Sequence, residues 1–540
     1  MVIAVVMVAL VVWPVAQVIH RSLLVDGAFG LHHYRRALTE PGNLRALLNT
    51  IWVGLASAAL ATAAGTGLAF LVVRTDMPGK AWLRTALVVP YAIPPFFGAI
   101  AWAQLLGPQG YLMRPLLRLL HLEQAPFSVY SPWGIVGVMA IHYFPLVFLA
   151  VAGALERMDA SLEEAARTSG AGSLRVMRDV TVPLVLPAVL AGGLLAFVGA
   201  IANFGIPALL GIRARFYVLT TSIYASLNIP DFSLATAESM LLVAVASGAL
   251  LAQRRLQRAE ERYTVIVGKS IHPQTLKLGR LRRPALAVAL FFAVIITVLP
   301  LAALALTSLL KYYGAPLEPE SLTTRHYAYV LQQENIRRAL ANSTILGLAA
   351  ATLTMVLGTY IAYAHVRARV RGAALLDSLG MLPYAIPHTV IAIAMILAWA
   401  RPPVSLYGTL WIMLLAYLVA YMPYALRTSA ATLQQVHGSL EEAARISGAG
   451  PLRALRDIVI PLVRPGMVAG WVLVFMPAFR ELTMSILLFG LRTETIGVII
   501  FNMQDSGYTQ IAAALSVLVL LIIVGSNLVV RRLTRGQVGF

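Results

Sequence analysis

One stretch of this chain is written twice. Residues 161–187 read SLEEAARTSGAGSLRVMRDVTVPLVLP, residues 439–465 read SLEEAARISGAGPLRALRDIVIPLVRP, and 19 of the 27 positions are identical at a constant offset of 278. Repetition at that distance makes the chain two tandem copies of one folding unit. Each copy is a polar island between long apolar runs, which marks it as a contact surface for something outside the apolar layer. Other signals repeat with it. Asn49-Thr50-Ile51 returns as Asn342-Ser343-Thr344-Ile345, and Pro90-Tyr91-Ala92-Ile93-Pro94 as Pro383-Tyr384-Ala385-Ile386-Pro387, at an offset of 293. The first half therefore holds 15 extra residues, which fall at 107–132, a loop that the second half cuts to about 400–406.

The apolar runs fix the class. Of 540 residues, 59% are hydrophobic and 12% charged, and the mean hydropathy is +0.79; soluble domains carry about 25% charged residues. Runs long enough to cross about 30 Å of hydrocarbon recur throughout. The expectation is an all-α membrane protein with about twelve spans, near 2–20, 49–73, 82–106, 133–155, 182–204, 234–252, 285–308, 342–365, 374–399, 407–427, 466–489 and 510–530. The proposed domains are 1–252 and 285–540, joined by a basic linker at 253–284.

Net charge is +19, from 42 Lys and Arg against 23 Asp and Glu. In a membrane protein this reads as positive-inside anchoring, so nucleic acid is not invoked as a partner. The linker and the Arg531-Arg532 tail are expected in the cytoplasm, with both termini and both islands. Six spans per half then make the halves parallel repeats about an axis along the membrane normal. The first apolar run has no basic flank, so either the start lies upstream or this span is a weakly oriented anchor; no charged region marks it as a cleaved signal. The chain has no Cys, which excludes disulfides and thiolate metal sites.

Each island suggests a helix, a turn and a second helix. Ser161 with Glu164, and Ser439 with Glu442, fit a capping box. Gly170 and Gly448 suit a left-handed helix stop. Pro183 and Pro461 precede re-entry into the apolar layer. The plain alternative is a loop that merely returns the chain, which has no need of two near-identical copies.

At these residues the chain resembles the permeases of ABC importers, whose cytoplasmic motif is E-A-A-x3-G-x9-I-x-L-P. The first copy is Glu164-Ala165-Ala166, Gly170, Val180, Val182 and Pro183, preceded by Glu163. The second is Glu442-Ala443-Ala444, Gly448, Ile458, Ile460 and Pro461, preceded by Glu441. Val or Ile replaces the family's Leu in both. The resemblance covers nearly the whole chain as two fused MetI-like permease domains of six helices each. It implies that each island couples to one of two ATP-hydrolysing subunits, which bind ATP and Mg while this chain holds no cofactor. It also implies a periplasmic or lipid-anchored solute-binding protein and a bacterial or archaeal inner or plasma membrane. Asn203-Phe204-Gly205-Ile206-Pro207, Arg480-Glu481-Leu482-Thr483 and Tyr263-Thr264-Val265 are similar to the ferric iron branch. Permeases for thiamine, aminoethylphosphonate or polyamine remain alternatives.

Several candidate sites carry competing readings. Val267-Gly268-Lys269-Ser270 lacks the first Gly of a phosphate loop, since that position is Tyr263, so ATP must come from a partner. Arg480 and Glu481 are charges at membrane depth, expensive unless paired or facing a cavity. They either pair with other spans or the interface, or line the translocation path together with Asn203, the first-half counterpart of Glu481. His142 and His388 have no second ligand at helical spacing and read as helix-contact residues rather than a metal site. The proline clusters should break their spans, either beside the pathway or to fit curved packing. A secondary transporter would need intramembrane acids to couple ions, and an integral membrane enzyme would need a catalytic cluster. The chain offers few acids at depth and no such cluster, and no catalytic residue is expected.

Overall fold

The computed structural model describes residues 2–25, 27–229, 231–263, 275–436, 439–448, 450, 453 and 455–533. Ten helices in it are long and apolar enough to cross a membrane, and two further helix pairs complete the expected twelve if each bent pair counts as one span. Val267-Gly268-Lys269-Ser270, which does not fit a phosphate loop, lies with the rest of 264–274 of the linker outside the described residues.

Three long helices form the heart of each repeat. In the first, Pro41–Arg74, Pro132–Arg157 and Val182–Ala202 pack on one another. In the second, Glu334–Val366, Leu410–Gln435 and Ile460–Phe479 do the same. Because hydrocarbon tails are as apolar as Leu, close backbone approach and not burial of large side chains drives this packing. Along Pro41–Arg74, Gly54, Ala61 and Gly65 are buried, while Leu48, Leu55 and Leu60 are exposed to the surroundings. A Cβ on Gly65 would come within 2.9 Å of the Phe144 carbonyl oxygen and the Phe148 amide nitrogen. Gly358, its repeat counterpart, stands as close to Ala425, with 2.8 Å to that residue's Cβ.

The compact units do not follow the sequence halves. One comprises Met1–Ala37, Ile223–Val243 and Arg325–Gly539; the other is built from Leu38–Ser222 and Ala244–Thr324. The first span, Val2–Leu23, thus packs with second-half helices, its Trp13–Leu23 portion lying against His388–Trp399. Reciprocally, Leu299–Leu309 of the seventh span lies against Pro95–Leu106. The repeat boundary read from sequence is therefore not a packing boundary.

Prolines set the irregularities. Among the described residues four helices contain a π turn, at Val8–Val12, Met177–Thr181, Val294–Val298 and Leu455–Val459. Each turn is followed two residues on by a proline: Pro14, Pro183, Pro300 and Pro461. Proline cannot donate to the carbonyl four residues back, and its ring crowds that carbonyl. The amide just before the proline bonds one residue further back instead, as Trp13 N–H does to Val8 O and Val182 N–H to Met177 O. At Pro90/Pro94 and Pro383/Pro387 the span breaks outright, whereas the equally spaced Pro183/Pro187 and Pro461/Pro465 stay within continuous helices. Lys80–Ala92 and Pro95–Leu106 meet at 100°, and Ala373–Ala385 and His388–Trp399 at 115°. One expected span is shorter than the apolar run: 466–489 ends as a helix at Phe479, and residues 480–484 turn before a short helix at Ser485–Leu488.

The 107–132 insertion is anchored and not a free loop. Tyr111 Oη lies 2.8 Å from Thr307 Oγ1, Tyr313 Oη donates to Gln104 O at 3.0 Å, and Arg114 donates to Gly314 O at 2.5 Å. Burial raises the pKa of both phenols, which keeps them neutral hydrogen-bonding groups.

Substituting Gly65→Val should destabilise the protein by about 1–3 kcal/mol, because the added side chain meets backbone that cannot withdraw. Gly67→Ala, where a Cβ meets nothing within 4 Å, should leave stability unchanged or slightly raised. Thermal unfolding of the two purified variants checks the pair; equal midpoints would contradict this packing.

Candidate functional site

The first island folds as a helix at Ala160–Thr168, capped by Asp159, whose carboxylate accepts from Ser161 N–H at 2.9 Å. This corrects the expected capping box: the helix begins earlier than Ser161, so Ser161 lies inside its first turn and Asp159 serves as cap. The expected stop is present. Gly170 has φ +86°, its N–H bonds to Arg167 O, and Ala171 N–H reaches back to Ala166 O, the paired bonds of a Schellman closure. In the second island a helix spans Ser439–Ile446, Ser447 N–H bonds to Ala443 O, and Gly448 also has φ +86°. The side chains of Glu441, Glu442 and Ala444 lie outside the described set.

The island presents a mixed face outward. Leu162, Glu164, Ala165 and Arg167 are exposed, and Leu174 is 74% exposed just beyond the turn. On the second copy Leu440, Ala443 and Ile446 are exposed, Ile446 at 88%. Apolar side chains bared on polar helices of matching geometry are the mark of a protein contact. Ala166 is half-buried, and Pro183 and Pro461 are exposed where the spans begin.

Glu163 points the other way. It is 1% exposed and forms an ion pair with Arg74, which is 2% exposed, while Thr181 Oγ1 donates to its other oxygen at 2.6 Å. Sequence reasoning placed Glu163 on the contact surface; the helix repeat puts it on the buried side, one position from the exposed Glu164.

A second pair of polar clusters lies among the spans. Asn203 Nδ2 donates to Tyr143 Oη at 2.9 Å, and its Oδ1 accepts from Ile206 N–H at 3.0 Å. In the second half Glu481 replaces Asn203, and its Oε1 accepts from Met484 N–H at 2.9 Å while Oε2 accepts from Tyr421 Oη at 2.8 Å. The backbone arrangement is the same, but the charge needs more, and His388 Nδ1 lies 3.4 Å from Oε2. In the first half the position of His388 is Pro95. His388 was read as a histidine without a partner; the break after Pro387 brings it to Glu481. Glu481 pairs with a histidine and a tyrosine rather than an arginine, and Arg480 is half-buried next to it. Both Glu481 oxygens are occupied and the residue is 7% exposed, so a passing solute reaches the carboxylate only if these bonds open. His142 is held between the rings of Tyr91 and Tyr143, at 5.7 and 4.8 Å.

Two tethers were visible as repeated text but carried no assigned role. Asn49 Nδ2 donates to Tyr217 O at 2.8 Å, and Asn342 Nδ2 to Arg492 O and Glu494 O at 3.2 and 3.0 Å. Thr50 and Ser343, one residue on, accept from Leu219 and Ile496 N–H at 2.7 and 2.8 Å. They bind the chain entering the Leu219–Asn228 and Ile496–Asp505 helices to the longest helix of each half.

Comparison with known proteins matches residues 61–312 and 354–538 to the binding-protein-dependent transport system inner membrane component. The Fe(3+)-transport system permease protein FbpB 2 of Haemophilus influenzae is 26% identical over 90% of this chain and 88% of its own. The probable ABC transporter permease protein y4fN of Sinorhizobium fredii is 27% identical over 97% and 94%. A putative 2-aminoethylphosphonate permease, PhnV of Salmonella paratyphi A, is 28% identical over 45% of this chain and 91% of its own. Among solved structures, a bacterial alginate ABC transporter chain aligns at 17% identity over 48% of this chain and 98% of that one, with a TM-score of 0.37.

Glu481→Ala should destabilise the protein more than Asn203→Ala. It strips the acceptor from two buried donors and from His388, at about 1–3 kcal/mol for each donor left unsatisfied. Asn203→Ala removes one acceptor and one donor with no charge involved. Melting temperatures of the two purified variants measure the difference, and an equal or reversed order would contradict the cluster as described.

Proposed function

Because this chain belongs to the family of binding-protein-dependent transport system inner membrane components, and is thus the membrane permease of an ABC importer, we propose that its two islands each dock one ATP-hydrolysing subunit on the cytoplasmic side. The observation that carries this reading is the pair of short helices with matching ends and bared apolar residues. Two docking helices on one chain call for two copies of the ATPase, which supply the ATP and Mg chemistry. A solute-binding protein delivers cargo from the opposite face, and on this reading both termini and the linker share the cytoplasmic side with the islands.

For the cargo we propose ferric iron. The relatives that run along most of the chain and carry a named solute are ferric permeases, whereas the aminoethylphosphonate permeases match less than half of it. Iron here is cargo and not a resident cofactor, and its selection falls mainly to the binding protein. Uptake of radiolabelled iron against labelled aminoethylphosphonate, in cells expressing the whole system, distinguishes the two; phosphonate uptake without iron uptake would overturn the choice.

Reversing both charges with Glu164→Lys and Glu442→Lys together should reduce co-purification of the ATPase and uptake by about tenfold or more, since truncating or inverting a central interface contact typically costs 2 kcal/mol or above. The variant should still insert, because Glu164 is exposed and the Asp159 cap is untouched. A full complement of ATPase on the double variant would contradict docking by these helices.

A further inference from the structure

The buried face of the first island carries an ion pair that no partner can touch. Glu163 accepts from Arg74 with one oxygen and from Thr181 with the other. These residues belong to three different elements: the last residue of the Pro41–Arg74 span, the island helix, and the π turn that opens the next span. The Arg74 Nε and Nη1 atoms have no hydrogen-bond partner among the described residues. The whole compensation of a buried guanidinium therefore falls on Glu163, and the pair holds as a unit.

The turn after Arg74 is fixed on its other side as well. Leu276 N–H donates to Arg74 O at 2.7 Å, Asp76 N–H to Leu276 O at 3.1 Å, and Leu278 N–H to Asp76 Oδ1 at 2.9 Å. The end of the inter-repeat linker is thus laced along residues 74–76. With its backbone clamped and its side chain locked to Glu163, Arg74 has no slack relative to the island helix. A displacement of that helix must be passed to the Pro41–Arg74 span, which is itself one of the three helices at the heart of the repeat.

The second half carries the same two residue types at the repeat offsets. Arg367 stands 293 residues after Arg74, and Glu441 stands 278 after Glu163. Arg367 donates to Leu433 O at 2.8 Å and to Val436 O, at the end of the Leu410–Gln435 helix. Thr181 is not repeated: its counterpart is Val459.

We propose that Arg74 and Glu163, braced by Thr181, form the joint that converts movement of the docked first island into movement of the spans, a positioning pair for transport and not a contact for the ATPase. The proposal rests on the docking reading above. It separates two faces of one short helix: Glu164 outward for binding, Glu163 inward for transmission.

The test uses the full chain reconstituted in liposomes with its ATPase and binding protein, reading solute moved per ATP hydrolysed. Arg74→Gln combined with Glu163→Gln removes both charges together and leaves neither unpaired. This double variant should keep wild-type ATPase co-purification and basal hydrolysis, while solute moved per ATP falls about tenfold, the usual scale of coupling between sites. Thr181→Val, which deletes a single hydroxyl, should lower the same ratio about threefold, the scale of one hydrogen bond. It also serves as the decisive variant if the double one does not insert. A purely structural pair would lower abundance and leave solute per ATP unchanged in the surviving molecules, which overturns the proposal. Loss of ATPase from the double variant also overturns it, because the joint would then belong to the docking surface. A wild-type chain that retains no ATPase would overturn the docking reading and the joint together.

Discussion

A helix in hydrocarbon must satisfy its own backbone, because no water is there to do so. Proline breaks that rule locally, and most of what is irregular in this protein follows from where prolines stand. A π turn precedes Pro14, Pro183, Pro300 and Pro461, while Pro145 and Pro423 sit inside unbroken α-helices. At Pro90–Pro95 and Pro383–Pro387 the helix breaks into the two bent pairs. These irregularities have consequences for chemistry. The turn before Pro183 ends at Thr181, which bonds to Glu163, and the break at Pro387 delivers His388 to Glu481. The Glu163 and Glu481 clusters thus each take a member from beside a proline-made irregularity.

The repeats keep geometry and vary charge. Asn203 and Glu481 accept from equivalent backbone N–H groups and meet equivalent tyrosines, yet only Glu481 is ionisable, and His388 stands 3.4 Å from it where the first half has Pro95. An uncompensated carboxylate at that depth would be far more costly than the amide it replaces. The pseudo-symmetry is therefore exact enough to position a neutral group and is broken where an ionised one must be compensated. The islands follow the same logic. Both bare Leu and Ala at equivalent positions and end at a left-handed glycine, whereas the hydroxyl that braces Glu163 is present in one half only.

Much of this was legible in the sequence. Offsets of 278 and 293 gave the repeat, the apolar runs gave the spans, and Gly170 and Gly448 gave the helix stops, because each signal is local or periodic. The misreadings share a cause. The cap was assigned to Ser161 when Asp159 lay two residues earlier, because helix starts are set by where the preceding span releases the chain. Glu163 and Glu164 were treated alike, although a helix turns about 100° per residue and sends neighbours to different sides. His388 looked solitary because its partner is 93 residues away and is reached only through a broken helix. The exchange of first spans between compact units left no trace in the sequence at all, since an apolar helix is compatible with either neighbour.

The account stands on the islands meeting an ATPase from one side of the membrane, and the absence of cysteine from the chain makes a direct measurement available. Thr168→Cys and Ile446→Cys place single thiols at exposed, repeat-equivalent positions on the two islands. With a short bismaleimide and a single cysteine on the ATPase, each variant should yield an adduct of one permease and one ATPase. The double variant should yield one permease carrying two. Tyr508→Cys, exposed in the turn before the last span and expected on the opposite face, should yield none. Adducts absent from both islands, or formed through residue 508 instead, would contradict the central claim.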